Sequence, residues 1–301
     1  MLVNKQTIGG LFINGQVLYK KEFESVKTLY PQISTIIPSS TSETNYAWLS
    51  GFPSLREWVG ERIVKNISAY SYNIKNRKFE STIKIKRDDI ADDQIGLYAA
   101  FFQEMGGAAA RHPDELLFEL IKSGFVARCY DGKPFFSEQH PVMNGVEESK
   151  ASNVQLPVSS EDEMPAWYLL DNSRAVKPFI FQVREKYELA RVNEIDDYNT
   201  FMRDEFIFGV RARGNMGFSF WQLAFASKLA LTPTNFAELY DRMSSQKTEE
   251  ERPLAIQPKI LLVGQSNREA AFYIAKAETL DNQKPNPNYG LVEVVVSPHL
   301  P

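Results

Sequence analysis

The chain of 301 residues carries one cysteine, Cys129, and only three histidines, His112, His140 and His299. A lone thiol excludes an internal disulfide and fits a reducing compartment. So few imidazoles, with no His-Glu-x-x-His and no Cys-x-x-Cys, leave no ligand set for a structural zinc site. Neither common spacing of a glycine-rich phosphate loop is present. Basic excess is lacking: 34 Lys and Arg stand against 38 Asp and Glu, a net charge of -4. That balance argues against a dedicated nucleic-acid binder. Long apolar runs are missing as well. The most apolar extended window, residues 217–232, contains Gln222 and Lys228 and is too short to span a bilayer. The opening residues lack a charged segment followed by an unbroken apolar one, so a soluble, non-secreted protein is expected.

What is present is apolar and aromatic surface, 43% and 12% of the residues, enough for a large core. The length suits two domains, or one elaborate domain with extensions. Part of the aromatic surface is oddly placed. The stretch from Tyr46 to Arg62 holds Trp48 and Trp58, two of the four tryptophans, yet Gly51, Pro53 and Gly60 interrupt it. It is too broken for a buried helix and too irregular for a strand.

Residues 1–40 read as an arm with helical turns around 17–30. Alternation at Tyr70, Tyr72 and Ile74 and again at Phe79, Ile83 and Ile85, on either side of Asn76, predicts a β-hairpin. Such a ribbon is marginal alone and needs a surface to lie on. Acidic residues Asp88, Asp89, Asp92 and Asp93 precede a helical spacing of Leu97, Tyr98, Phe101, Phe102 and Met105. The spacing predicts one long kinked helix, or two abutting ones, over 92–123, ending at Gly124. Residues 144–165 are polar and read as a surface loop. Strands are predicted at 179–183 and 205–213. A helix is expected from Pro233 to Met243, a strand at 259–263, a helix capped by Ser266 and Glu269 to about Ala277, and a strand at 291–296. This last alternation could form a separate lobe.

Four groups invite a chemical reading. Cys129 and His140 could pair as thiol and imidazole, but their separation in sequence shows neither a base in reach nor a lowered thiol pKa. The aspartates at 88–93 lack the spacing and glycine of a calcium loop, and helix capping explains them. Gly264 before a helix could greet an anion, although a strand-to-helix turn needs such a residue anyway. Arg203, Arg211 and Arg213 could stack on nucleic acid, against the plainer reading of an exposed strand with salt bridges.

The segments TNYAWLSGFPSLREWVGERIV, FESTIKIKRDDIADDQIGLYAAFFQEMG, HPDELLFELIKSGF, CYDGKPFFSEQHPV, WYLLDNSRAVKPFIFQ and FGVRARGNMGFSFWQLA, with FMRDEF and a final VVVSPHL, resemble the major head proteins of Mu-like phages. The resemblance runs from about residue 30 to the end. It implies the α+β Hong Kong 97-type major capsid fold, with N-terminal arm (1–40), extended β-hairpin loop (41–86) and peripheral domain (87–231) built on a spine helix of about 92–123. An axial domain (mainly 232–290) and a closing strand (291–301) complete it. The implied function is self-assembly through hexamers and pentamers into an icosahedral shell around double-stranded phage DNA, touched without specificity. A scaffolding protein, a head maturation protease and a portal are implied partners. The implied site is the virion, assembled in the host cytoplasm, with no membrane contact.

No catalytic residue, cofactor or metal is expected. The expected contacts between subunits are Trp48, Leu49, Phe52 and Leu55, with Arg56, Glu57, Trp58, Glu61 and Arg62 beside them. Tyr70, Tyr72 and Ile74 complete the set. Lys65, Lys75, Lys78 and Lys84 lie in the loop, but nothing marks one of them for the covalent crosslink of the fold's type member. The alternatives are an encapsulin-like nanocompartment shell and, more remotely, a cysteine hydrolase using Cys129 and His140.

Overall fold

The structure, a computed structural model, describes residues 5–46, 49, 72–92, 95–144, 147–192, 197–247, 252–280 and 283–301. Helix α1 (Lys5–Ser25) and the single turn α2 (Tyr30–Ile33) lead into strand β1 (Ser34–Pro38). Strands β2 (Glu43–Asn45) and β3 (Asn73–Lys75) come next, then β4 (Arg77–Lys86), α3 (Arg87–Ala91) and the long α4 (Ile95–Ser123). After them run β5 (His140–Asn144), β6 (Glu147–Ala151), β7 (Val154–Gln155), β8 (Trp167–Leu170) and β9 (Phe179–Val192). Helix α5 (Tyr198–Arg203) separates β9 from β10 (Glu205–Phe218). The chain ends with β11 (Ala224–Ser227), α6 (Pro233–Ser244), β12 (Ile260–Val263), α7 (Arg268–Lys276) and β13 (Glu293–Val296).

Two sheets organise these elements. One has the order β1-β9-β10-β4 and the other β13-β12-β8-β11-β7. The first is covered by α4 and α1. Helix α1 turns inward a stripe of Ile8, Leu11, Gly15 and Tyr19, a spacing that keeps one helical face buried. The arm therefore starts its helix earlier than 17–30, and it packs on α4 rather than standing apart. Gly15 and Tyr19 in the stripe, instead of larger aliphatics, hide the period from a sequence reading. A Cβ on Gly15 would lie 2.8 Å from the Phe102 ring, and one on Gly106 would overlap the Tyr19 carbonyl oxygen. The two glycines let the helices nest. α4 is one continuous helix through Gly106, Gly107 and Pro113. Its buried face, from Phe102 and Met105 through Leu117 to Ile121, supplies the tertiary packing that outweighs weak propensity.

The expected hairpin across Asn76 does not form. β3 pairs with β2, whereas β4 pairs antiparallel with β10 from Lys86↔Glu205 to Arg77↔Gly214. Alternation marks a strand and its faces but not its partner. Asn76 joins the two strands without reversing the chain, its Nδ2 donating to Ser39 Oγ (3.1 Å) and Thr41 O (2.8 Å). The expected surface loop at 144–165 instead begins with a hairpin of β5 and β6, polar enough in sequence to pass for a loop. The expected cap by Ser266 and Glu269 is also replaced: a 3-10 turn, Gln265–Asn267, precedes α7, and Asn267 Nδ2 donates to Pro165 O at 2.7 Å. α6 begins as expected, with Thr232 accepting from Asn235 N at Pro233. The late lobe is not self-contained, because β12 pairs with β8 as well as β13.

A candidate assembly surface and a buried polar cluster

Strands β2 and β3, which flank residues 47–71 in the sequence, are tied together. Tyr46 N donates to Tyr72 O at 2.8 Å, next to the register pair Asn45↔Asn73. Gln182, fully buried in the apolar run of β9, holds both ends from below. It accepts the Tyr46 hydroxyl at 2.8 Å and donates to Ile74 O at 3.1 Å and Asn76 Oδ1 at 2.8 Å. Burial pushes the Tyr46 hydroxyl up to about 12, so it stays a donor. From β10, Asn215 Nδ2 donates to Lys75 O at 2.9 Å and Phe218 N to the Tyr72 hydroxyl at 2.8 Å. A Cβ on Gly217 would come within 2.7 Å of Ile74 Cγ1, so that glycine makes room for the returning strand.

Most of the expected contact residues fall between these ends. Trp48, Phe52, Leu55, Arg56, Glu57, Trp58, Glu61, Arg62 and Tyr70 lie outside the described residues. Leu49 and Ile74 are buried in the chain's own core, at 0% and 3% exposure, and Tyr72 packs against it. Those three side chains serve the fold, Ile74 because β3 turns its central residue inward. Sequence reasoning missed Gln182 and Asn76 as the anchors. One signal was available, a lone amide within the apolar run Phe179-Ile-Phe-Gln-Val183.

The Cys129 region forms a buried polar cluster on the turn after α4. Cys129 Sγ donates to Asp131 Oδ1 at 3.0 Å, and Asp131 Oδ2 lies 2.5 Å from His140 Nδ1 at the start of β5. The imidazole lies flat on Trp221, 4.2 Å between centroids and 7° apart. Desolvation, with the Asp131 carboxylate second, pushes the thiol far up, which leaves it un-ionised. Its hydrogen bond goes to Asp131 rather than to His140, so no thiolate–imidazolium dyad exists. The three ligand-type atoms lie within 4.8 Å of one another. A zinc ion needs bonds of about 2.0–2.3 Å to each; the direct hydrogen bonds already close the space it would occupy.

The other chemical readings resolve plainly. A Cβ on Gly264 would overlap the Pro301 carbonyl oxygen, so this turn receives the chain's own last residues rather than an anion. Arg211 and Arg213 pair with Glu185 at 3.3 and 3.1 Å across the sheet, the salt-bridged reading. Arg203 closes α5. Asp88 and Asp89 stand in the first turn of α3, where Asp89 accepts the Tyr98 hydroxyl. Asp93 lies outside the described residues. No helix among the described residues is long and apolar enough to cross a membrane.

The family model of the Mu-like prophage major head subunit gpT matches residues 9–300. The chain belongs to the Mu-like phage major head subunit family. It is 37% identical over 305 residues to the major capsid protein of Escherichia phage Mu, covering all of both chains. It is 35% identical to the Mu-like prophage FluMu major head subunit of Haemophilus influenzae, covering 92% of this chain and 91% of that one. In structure it is similar to the procapsid of bacteriophage JBD30, with a TM-score of 0.88 and 42% identity over 99% of this chain and 100% of the other. As a major head subunit it is a capsid protein with the expected α+β head-protein fold, built to form a shell from copies of itself. The family is structural, not enzymatic, and neither the nanocompartment nor the hydrolase alternative gains support.

Proposed function

We propose that this head subunit assembles through hexamers and pentamers into an icosahedral shell that encloses double-stranded DNA, with the side chains of residues 47–71 other than Leu49 meeting a neighbouring subunit. One observation supports the reading: β2 and β3, on either side of a segment rich in aromatic side chains, are tied together and anchored by Gln182. Ends fixed in this way give the segment a direction and lower the ordering cost of contact. The remaining contact candidates, Trp48, Phe52, Leu55, Trp58 and Tyr70, would supply the apolar burial. Arg56, Glu57, Glu61 and Arg62 would fix register at the rim. Further apolar surface is exposed on α5, where Tyr198, Phe201 and Met202 are 74%, 81% and 60% accessible. One chain type filling two ring sizes needs heterologous contacts whose curvature closes the shell.

In this reading the domains follow the two sheets, and several bounds change. Sheet β1-β9-β10-β4 with α1 and α4 is the peripheral body, and the arm is part of it. The axial body is sheet β13-β12-β8-β11-β7 with α6 and α7, so it recruits residues 154–170 and 224–227 as well as 232–290. A separate scaffold, a maturation protease and a portal complete the assembly, in the host cytoplasm. Net acidity suits a shell that confines DNA without gripping it.

Co-expression with a cognate scaffold followed by electron microscopy tests this. Closed shells are expected, and Trp58→Ala should reduce shell yield far more than subunit solubility. A subunit that stays monomeric under every assembly condition would overturn the proposal, and equal loss of folding and assembly would remove Trp58 from the contact.

A further inference from the structure

The ring of His140 sits between two acceptors. Nδ1 lies 2.5 Å from Asp131 Oδ2, and Nε2 lies 3.1 Å from Asn153 Oδ1. The Asn153 amide cannot be turned to offer a donor. Its Nδ2 faces the carbonyl oxygens of Phe135 (2.8 Å), Ala224 (3.0 Å) and Trp221 (3.4 Å), while Oδ1 also accepts the Ser137 N–H at 2.8 Å. A neutral imidazole has one N–H and can satisfy only one of two acceptors. Both ring nitrogens are sealed from water, since His140 is 0% exposed.

We propose that Asp131 and His140 hold a second proton between them in the folded subunit, forming a proton-dependent clasp between the turn after α4 and the sheet that contains β7 and β11. Whether that proton sits on Nδ1 or on the carboxyl, the pair is neutral overall and each short contact has a donor. Loss of the proton would leave a single N–H, which stays on Nδ1 facing the carboxylate, so that Nε2 and Asn153 Oδ1 become two buried acceptors 3.1 Å apart beside an uncompensated charge. The flat stacking on Trp221 favours the cationic form of the ring. Burial works to raise the Asp131 carboxyl. Hydrogen bonds from His140, the Cys129 thiol and the Lys133 N–H, with the charge on His140, hold it below its ordinary value. The titratable groups around the pair are Cys129 and Tyr130 on the same turn and Tyr72 on the segment beside them, all pushed up by burial and therefore neutral. Asn153, just before β7, and Trp221 and Gln222 from the turn after β10, carry no charge.

An unfolded histidine releases this proton near pH ~6.5. Above that value the folded chain binds one proton more than the unfolded chain. Its folding constant should fall about tenfold per pH unit until the pair lets go. The clean window is about pH 7–8. Below about 6.5 His112, lowered by burial, contributes with the opposite sign; above about 8.5 the raised thiol of Cys129 adds the same sign.

Urea titrations of the purified subunit across this window, for wild type and Asp131→Asn, test the clasp. In the variant an amide nitrogen donates to Nδ1, a neutral His140 satisfies Asn153, and the slope should vanish. On wild type with 15N-labelled histidine rings, the spectrum at neutral pH should show both nitrogens of His140 protonated. A flat wild-type profile, the same slope in both proteins, or a bare ring nitrogen in the spectrum would each overturn the proposal. The ring spectrum decides by itself if the variant fails to fold.

Discussion

Gly106 and Gly107 are adjacent in α4, and alanine should move stability in opposite directions at the two positions. A methyl group at 106 would overlap the Tyr19 carbonyl oxygen of α1 and lie 3.1 Å from both Tyr19 Cα and the carbonyl carbon. Carbon pairs prefer about 3.5–4.0 Å, so α1 must retreat by roughly 0.5–1 Å. A gap of that size forfeits a quarter to a half of each contact across the seam, where Ile8, Leu11, Phe102 and Met105 are buried. Overpacking of this kind costs about 1–3 kcal/mol, and the better helix propensity of alanine returns about 1 kcal/mol. The expected net loss is up to about 2 kcal/mol. At 107 the methyl would meet only the guanidinium of Arg111, at 3.1 Å, the flexible end of a half-exposed side chain. That arginine can swing aside, so Gly107→Ala should gain up to about 1 kcal/mol from propensity alone. Urea denaturation followed by far-UV circular dichroism reads both: the midpoint should fall for Gly106→Ala and hold or rise for Gly107→Ala. If Gly106→Ala is as stable as wild type, the helices are not held at the separation described, and the account of the arm fails.

Two other substitutions probe the ends of the fold. Gly264→Ala would overlap the Pro301 carbonyl oxygen and sit 2.7 Å from the Leu300 carbonyl carbon, which should expel buried Leu300 and break the stacking of His299 on Phe118. Carboxypeptidase should then trim the C-terminus about fivefold faster or more for a displacement costing ~1–3 kcal/mol; unchanged protection would refute the close approach. Gln182→Leu removes the partners of the Tyr46 hydroxyl and Ile74 O at a cost of about 1–3 kcal/mol each. The Tyr46 amide should exchange faster while α4 stays protected, and equal protection in both proteins would show that β2 and β3 hold without the anchor.

Long periodic elements were legible because burial on one face writes a period into the chain. α4, β10 and α6 follow that rule, whereas β12 and the start of β9, buried at every position, were legible as short apolar runs. What escaped depends on partners distant in sequence. β3 and β4 alternate like two arms of a hairpin, yet β4 finds Glu205–Gly214 and β3 finds Glu43–Asn45, and neither partner is encoded locally. The stripe of α1 was missed because two of its four positions, Gly15 and Tyr19, are chosen for a close crossing rather than for apolarity. The 144–165 segment was missed for the opposite reason: Glu147–Ala151 is a strand without apolar residues except its last, so pairing alone defines it. Of the expected contact residues, Leu49 and Ile74 are buried in the chain's own core, where an alternating pattern does not say which apolar face meets which neighbour. Cys129 and His140 were rightly set beside each other in sequence, but Asp131 between them decides the chemistry. It takes the hydrogen bonds of both and leaves neither free to activate the other.

The β9–β10 pair links the parts of the subunit that face outward. Its core-side end carries Gln182, Asn215 and Gly217, which hold Tyr46 after β2 and the residues of β3. Its far end carries α5 with Tyr198, Phe201 and Met202 exposed. Between these ends β10 holds β4 and lies under α4, so the ladder is continuous from one apolar surface to the other. Two register shifts, between Arg211 and Arg213 and between Arg213 and Gly214, fall in the middle of that ladder, where Glu185 bridges both arginines. Bulges bend and twist a strand locally. The β9–β10 ladder therefore bends at Glu185 and its two arginines, between its buried end at Phe218 and its other end at α5.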